Sequence, residues 1–289
     1  MNNKKQSHSR KNILTGEWVL VSPNRLKRPW QGETNAEKKD IINEYEKDCY
    51  LCPGNSRANN QINPNYKGIL VFDNDFPSLS DTNSPKIKIL SNEIFTYRSE
   101  RGRCRVICYT EKHNQRLATM PNEQIVDTLK TINSEFVSLD QNKSISYIQI
   151  FENRGKMMGC SNQHPHAQIW ATENIPGEIE KELKCQSDWF NSKNSPLLSD
   201  YRDSELTDGS RIVIKNDDFI ALVPYWAIWP YEIMLLPRRF FSAPNEMKDR
   251  EIKNLAKILK SIFSGYDKMF NTNSPYSMGF HPRPSDEKD

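Results

Sequence analysis

Two histidines two residues apart, His164 and His166, concentrate the chemistry of a chain that has only five histidines in 289 residues. They lie in the stretch from Asn153 to Trp170, which reads NRGKMMGCSNQHPHAQIW. A neutral imidazole near physiological pH is both a nitrogen nucleophile and a metal ligand, so the pair can divide two roles. In an extended strand, residues i and i+2 point to the same face. That spacing would turn both rings, and Gln168 after them, toward one site. Pro165 has no N–H to give to a ladder and suits a strand start or an edge. Gly155 and Gly159 allow positive φ or a close approach of backbone to a ligand. For any single ring the plainer reading is a hydrogen-bonded core histidine.

A second group of donors begins at Cys49-Tyr50-Leu51-Cys52, followed by the turn residues Pro53-Gly54-Asn55. CxxC lets two thiolates chelate one zinc ion from a tight loop, and two further ligands must then come from elsewhere. Histidine is scarce, which leaves His113 in YTEKHN and His164 as the candidates. Cys49, Cys52, His113 and His164 would make a tetrahedral Cys2His2 site. A thioredoxin-type redox pair is the rival use of CxxC, but no βαβ pattern surrounds it.

The longer string GCSNQHPHAQIWA resembles the active-site segment of the galactose-1-phosphate uridylyltransferase family, in the histidine-triad superfamily, whose signature is HPHxQ. The resemblance extends toward both ends of the chain. It implies His166 as a nucleophile that takes up a uridylyl group, and Gln168 and Ser161 as donors to the phosphate oxygens. It also implies substrate contacts from Arg25, Arg28, Asn74, Asp75, Asn153, Gly159, Cys160, Ser161 and Gln168. The four Cys and His residues match the family's zinc site ligand for ligand. Glu182 and His281 match two of four ligands of the family's second, iron-type site, and with two ligands that site is expected to be empty or malformed. On the plainer reading Arg25 and Arg28 are a solvated basic turn, Asn74-Asp75 an ordinary turn signal, and Glu182 an exposed helix carboxylate. Two departures stand next to the reactive groups: Gln163 where the family often has proline, and Ala167 where glycine is common.

Composition sets the outer limits. The net charge of +3 gives no bulk electrostatic case for nucleic acid or an anionic membrane. No apolar run approaches the ~20 residues of a membrane span. The opening MNNKKQSHSRKN lacks the apolar core of a signal peptide and reads as a disordered lead-in over 1–12. Six cysteines are too few for a disulfide scaffold at this length, so a cytoplasmic protein is expected. A mean hydropathy of -0.78 reflects polar loops and still leaves enough apolar residues for a core.

The positioning elements follow from periodicity. Strands are expected in TGEWVLVS (15–22), ILVFDNDF (69–76), 94–98, 103–110 and SYIQIFEN, and again at HPHAQIWA. Residues 33–47 read as a charged helix or connector, and 77–92 and 191–210 as loops. Pro121-Asn122-Glu123 opens a helix with Ile125, Leu129, Ile132 and Phe136 on one face. Pro176-Gly177 opens another, with Ile179, Leu183 and Phe190 inward. FIALVPYWAIWPYEIMLLPRRFFSAPNEMKDREIKNLAKILKSIF repeats, in order, the strand, loop, strand and Pro-Asn-Glu helix that begin at RVICYT. YSMGFHP answers YIQIFEN. No counterpart of HPHAQIWA follows before Asp289.

The fold class expected is therefore α+β. The resemblance implies two fused histidine-triad-like units forming an antiparallel half-barrel sheet flanked by helices, the first over 13–190 and the second, incomplete, over 191–289. It implies UDP-glucose and galactose 1-phosphate as substrates and a homodimer. The alternative is a zinc-stabilised nucleotide-sugar-binding remnant without full turnover, and an ADP-sugar phosphorylase is a further enzyme reading. Binding paired with turnover separates the first alternative, and substrate competition the second.

Overall fold

The computed structural model describes residues 6–27, 42–81, 83–85, 90–92, 94–160 and 162–286. In chain order the elements begin with β1 (His8–Lys11), β2 (Trp18–Val21), β3 (Leu70–Asp73), β4 (Ser80–Asp81), β5 (Leu90–Asn92), β6 (Phe95–Tyr97) and β7 (Arg101–Cys108). Helix α1 (Asn122–Asp140), β8 (Tyr147–Arg154), β9 (His166–Thr172), α2 (Gly177–Lys193) and α3 (Leu197–Asp208) follow. The chain continues with β10 (Ile212–Lys215), β11 (Phe219–Leu222), β12 (Met234–Pro237), α4 (Asp249–Phe270) and β13 (Tyr276–Phe280). Among the described residues, antiparallel pairing dominates in a mixed fold of sheets and four helices. No helix among the described residues is long and apolar enough to cross a membrane.

The chain forms two compact units, each built from two stretches: 1–37 with 176–241, and 38–175 with 242–289. The first holds the β1–β2 hairpin, α2, α3 and the three-stranded sheet β10-β11-β12. Three expectations are corrected here. Residues 8–11, read as part of a disordered lead-in, pair with β2 from His8↔Val21 to Lys11↔Trp18. Residues 197–208, read as loop, form α3, because Leu197, Leu198 and Tyr201 bury against Leu14, Trp226 and Met234 and outweigh a polar composition. In α2 the inward aromatic is Trp189, packed in that same cluster, whereas Phe190 is exposed.

The second unit is organised by a six-stranded sheet in the order β13-β8-β9-β7-β3, with β4 pairing parallel to β7. Alternation splits this sheet into two faces. Ile148, Ile150, Ala167, Ile169, Ala171 and Ile107 fill one face and are almost fully buried; α1 packs against β8 and against α4. Helix α1 buries Ile125, Leu129, Ile132 and Phe136, and α4 buries Ile252, Leu255, Leu259 and Phe263, as their spacing predicts. On the other face, Cys108 and Val106 are covered by Cys49, Leu51 and Cys52. Farther along it, at β9 and β8, His166, Gln168, Trp170, Phe151 and Asn153 are only half-buried. Register decides which side chains share this face, since β9 pairs with β7 from Cys108↔His166 to Gly102↔Thr172.

The first copy of the sequence repeat has no second strand: residues 109–121 between β7 and α1 are turns, which carry His113. Likewise 77–92 holds the short strands β4 and β5. The strand resembling β8 is β13, and the two are adjacent, antiparallel partners from Tyr276↔Arg154 to Phe280↔Ile150.

Candidate active site

His166 is the first residue of β9, and the chain before it is fixed one bond at a time. The Asn162 carboxamide oxygen accepts from the His164 N–H at 2.9 Å. The Pro165 carbonyl accepts from the Tyr109 N–H at 3.0 Å. His166 Nδ1 lies 2.7 Å from the His164 carbonyl oxygen. A carbonyl only accepts, so Nδ1 carries the proton and Nε2 presents its lone pair. Burial holds this imidazole below its ordinary pKa against the raising pull of the His164 carbonyl, which keeps the ring neutral and nucleophilic.

Gln168 follows on the same face, and its Oε1 accepts from the Trp170 indole N–H at 3.3 Å, which leaves the NH2 end of the amide as donor. Asn153 ends β8 on the same face, two residues past Phe151, the partner of Gln168. Its Oδ1 accepts from the Ser277 hydroxyl. The turn that follows needs its glycines: Gly155 has φ 88 and Gly159 φ 74. A Cβ on Gly155 would also come within 2.8 Å of Pro275. Cys160 gives its S–H to the Asn162 carbonyl at 3.0 Å. Ser161 and Arg28 lie outside the described residues.

His164 does not share a site with His166. It precedes the strand, and its ring joins Cys49, Cys52 and His113 in a buried group whose ligand atoms lie within 4.8 Å of one another. Cys52 Sγ is 3.6 Å from His164 Nδ1 and 3.7 Å from His113 Nδ1. Zinc–sulfur and zinc–nitrogen bonds of about 2.3 and 2.0 Å at tetrahedral angles give an S···N edge of about 3.5 Å, so the group already has the size of a metal tetrahedron. His164 Nε2 is 2.8 Å from the Thr110 carbonyl, which makes Nε2 the protonated nitrogen and turns the Nδ1 lone pair into the group.

The thiols agree with this. Burial would push Cys49 up, but the neighbouring His113 and His164 imidazoles outweigh it and bring the thiol down to about 5. Burial, together with the neighbouring Cys49 thiolate, pushes Cys52 up to about 12. Two adjacent thiolates are tolerated only beside a cation, the condition a bound divalent metal meets. Side-chain amides staple the loop: Asn55 Nδ2 donates to the Cys49 and Glu46 carbonyls at 2.8 Å, and Asn63 Nδ2 to those of Tyr50 and Cys52 at 2.9 Å.

Asn74 and Asp75 follow β3. The Asn74 N–H donates to the Cys104 carbonyl at 2.9 Å, and its Oδ1 accepts from the Phe76 N–H. Asp75 pairs with Arg57 at 3.6 Å, and the Arg57 guanidinium lies 3.9 Å above the Phe72 ring. With Gln61 and Arg105 these residues line an open depression of about 520 Å³. Cys104 pairs with Trp170 and Cys108 with His166, so four residues of strand, roughly 13 Å, separate the Asn74 end of this depression from His166. Arg57 gave no signal in the sequence. Arg25 is exposed in the 3-10 turn Pro23–Lys27. Glu182 is half-buried in α2, His281 is exposed after β13, and neither belongs to the Cys and His group.

Beneath β8, on the closed face, sequence reasoning also missed a polar cluster. Glu152 and Arg154 are 2% and 9% exposed. The Tyr109 and Tyr276 hydroxyls each donate to a different Glu152 oxygen at 2.9 Å. Burial pushes the Glu152 carboxyl up to about 7 against the opposing pull of Arg154 and the two phenols. The signal was available: both residues fall in register with Ile148 and Ile150, on an apolar face.

Known proteins match this chain along nearly its whole length. The model of the galactose-1-phosphate uridyl transferase N-terminal domain matches residues 1–176, and that of the C-terminal domain matches 182–289. Galactose-1-phosphate uridylyltransferase of Haemophilus influenzae is 42% identical over 283 residues, covering 98% of this chain and 80% of that protein. The Kluyveromyces lactis protein of the same name is 39% identical, over 95% of this chain and 77% of the relative. Among solved structures, one described as a uridylyltransferase has a TM-score of 0.73 at 26% identity, covering 96% of this chain and 80% of its own. An Arabidopsis thaliana ADP-glucose phosphorylase shares the fold, with a TM-score of 0.76 at 22% identity over 98% of this chain and 84% of that one. The expectation of a missing C-terminal segment finds no support in these matches, which cover 95–98% of this chain.

Proposed function

The chain belongs to the galactose-1-phosphate uridyl transferase family, and from that premise we propose that it exchanges UMP between UDP-glucose and galactose 1-phosphate through a uridylyl group held on His166. The observation that carries the reading is the His166 ring. Its Nδ1–H is committed to the His164 carbonyl, and its Nε2, on the half-open face beside Gln168, has no partner among the described residues.

In the first half-reaction Nε2 attacks the α-phosphorus of UDP-glucose. The N–P bond forms, the bridging P–O bond breaks, and glucose 1-phosphate leaves with that electron pair. In the second, a phosphate oxygen of galactose 1-phosphate attacks the same phosphorus, the N–P bond breaks, and UDP-galactose departs. Each displacement has a good leaving group, which is the benefit of splitting one transfer into two. Phosphoryl chemistry asks chiefly for alignment and for donors around the non-bridging oxygens. The Gln168 amide and the Ser161 hydroxyl serve as those donors, Asn153 offers its remaining amide end to the nucleotide, and the Gly159 and Cys160 N–H groups close the glycine turn onto the Lys156 and Gly155 carbonyls.

Asn74 and Asp75 hold the ribose or base edge, while Arg25 and Arg28 offer forks to phosphate. Cys49, Cys52, His113 and His164 hold zinc, which fixes the segment entering β9. Glu182 and His281 would supply two ligands of a second, iron-type site that is incomplete with these two alone. The adjacency of β8 with β13, and of α1 with α4, supports two histidine-triad-like halves. As in the family, the working form is a homodimer, testable by mass in solution.

The test is the intact mass of the metal-loaded protein after UDP-glucose alone, quenched under mildly alkaline conditions. A uridylyl adduct on the wild type and none on His166→Gly supports the reading. A labelled His166→Gly, or an unlabelled wild type, overturns it. Competition by ADP-glucose for the adduct then reads the base preference.

A further inference from the structure

The buried cluster beneath β8 reaches the nucleophile through the backbone. Arg154 Nη1 donates to the Gln163 carbonyl at 3.1 Å. The next carbonyl, that of His164, accepts from His166 Nδ1. The one after it, that of Pro165, accepts from the N–H of Tyr109, whose hydroxyl is bound to Glu152. Three successive peptide planes are therefore held. The outer two are pinned by members of the cluster, and the middle one sets the proton position on His166.

The energetics ask for a reason. A buried carboxylate and guanidinium are often no more stabilising than apolar residues of the same volume. The carboxylate is nonetheless closely satisfied here. Glu152 takes one phenol on each oxygen, Tyr276 stacks on Phe263 at 4.0 Å, and Gln124 Nε2 holds the Tyr109 carbonyl at 2.6 Å. Two members of the cluster reach outward to the loop that enters β9, Arg154 to the Gln163 carbonyl and the Tyr109 N–H to the Pro165 carbonyl.

We propose that Arg154 is a positioning residue for the transfer: buried beside Glu152 and bonded to the Gln163 carbonyl, it locks the Gln163–Pro165 backbone so that the His164 carbonyl keeps the His166 proton on Nδ1 and Nε2 in line for attack. This rests on the uridylyl-histidine reading above. It predicts a specific division of effects. Substrate groups held by Asn74 and Asp75 lie roughly 13 Å along the sheet, so binding is spared while the chemical step suffers.

The experiment uses the full, metal-loaded chain and rapid-quench measurement of uridylylation by UDP-glucose. For Arg154→Gln the chemical step should fall about 100-fold, the cost of a misplaced reacting group, with KM within about threefold. Arg154→Lys, which keeps the charge and an N–H donor, should recover about tenfold of that. Arg154→Gln strands the Glu152 charge and can unfold the protein. The neutral pair Glu152→Gln/Arg154→Gln is therefore measured beside it, and its loss in the chemical step should match. The 15N signals of the His166 ring should show the Nδ1–H tautomer falling in both.

A folded variant with the wild-type rate of adduct formation overturns the proposal. So does a loss confined to KM or to melting temperature, or an unchanged tautomer. The wild type is run first: if it takes no label, the uridylyl-histidine reading fails and this proposal with it. A labelled wild type beside a variant labelled at full rate removes only the role given to Arg154.

Discussion

The two faces of the central sheet carry polar residues on adjacent strand positions and treat them in opposite ways. On the closed face Glu152 and Arg154 have their groups turned to phenols and a carbonyl and are almost without solvent. On the half-open face His166, Gln168 and Asn153 each use one end of a side chain to fix its orientation and keep the other end for a partner. Chemistry belongs where bonding capacity is left over, and rigidity where it is used up. Charge is a poor guide to which is which: in the proposed reading the charged pair supports and the neutral rings and amides react.

That contrast can be broken experimentally. His166→Gly should lower the transfer rate by about 10⁴-fold or more, as removing a nucleophile does elsewhere, while the melting temperature stays near that of the wild type. Ile169→Ala, one residue from Gln168 but on the closed face, should reverse the pattern. Denaturant unfolding should show a loss of about 2–5 kcal/mol, with the rate per folded molecule little changed.

Glu152→Gln tests the closed face through pH. Burial raises the folded carboxyl from 4.5 to about 7, so between those values the folded state binds the proton that the unfolded chain releases. The stability this contributes is present in full below the unfolded pKa and is lost as pH rises through the folded one. Wild-type stability should fall by about 3 kcal/mol relative to Glu152→Gln across that window, and parallel curves would contradict the assignment. Smallest in free energy is Gln168→Ala, with transfer slower by about 100-fold, unchanged unfolding, and an adduct that still forms at long times.

Legibility followed the same division. The buried group of Cys49, Cys52, His113 and His164 was readable because CxxC has few uses and histidine is scarce, so His113 and His164 had little competition. The β9 face was readable because a period of two assigns His166 and Gln168 to one side. The helix faces of α1 and α4 followed from their 3.6-residue repeat. Helix α3 was not readable: its polar residues dominate the composition, and only Trp226 and Leu14, distant in sequence, give Leu197 something to bury against. Trp189 and Phe190 differ by one position, and packing rather than residue type decides which goes in. The convergence of Arg57 on Asp75 and Phe72 depends on a loop path that no local pattern encodes.

Pro165 shows how little separates two assignments. Antiparallel neighbours usually exchange two bonds, but Tyr109 gives one to Pro165 and receives none, since the imide nitrogen has no hydrogen. The zipper stops there. Chain beyond the stop is released from the plane of the sheet, and His164 departs toward the cysteines while His166 stays in line. A single absent hydrogen atom is the border between them, so two identical side chains two positions apart can be specialised without any change in their own chemistry.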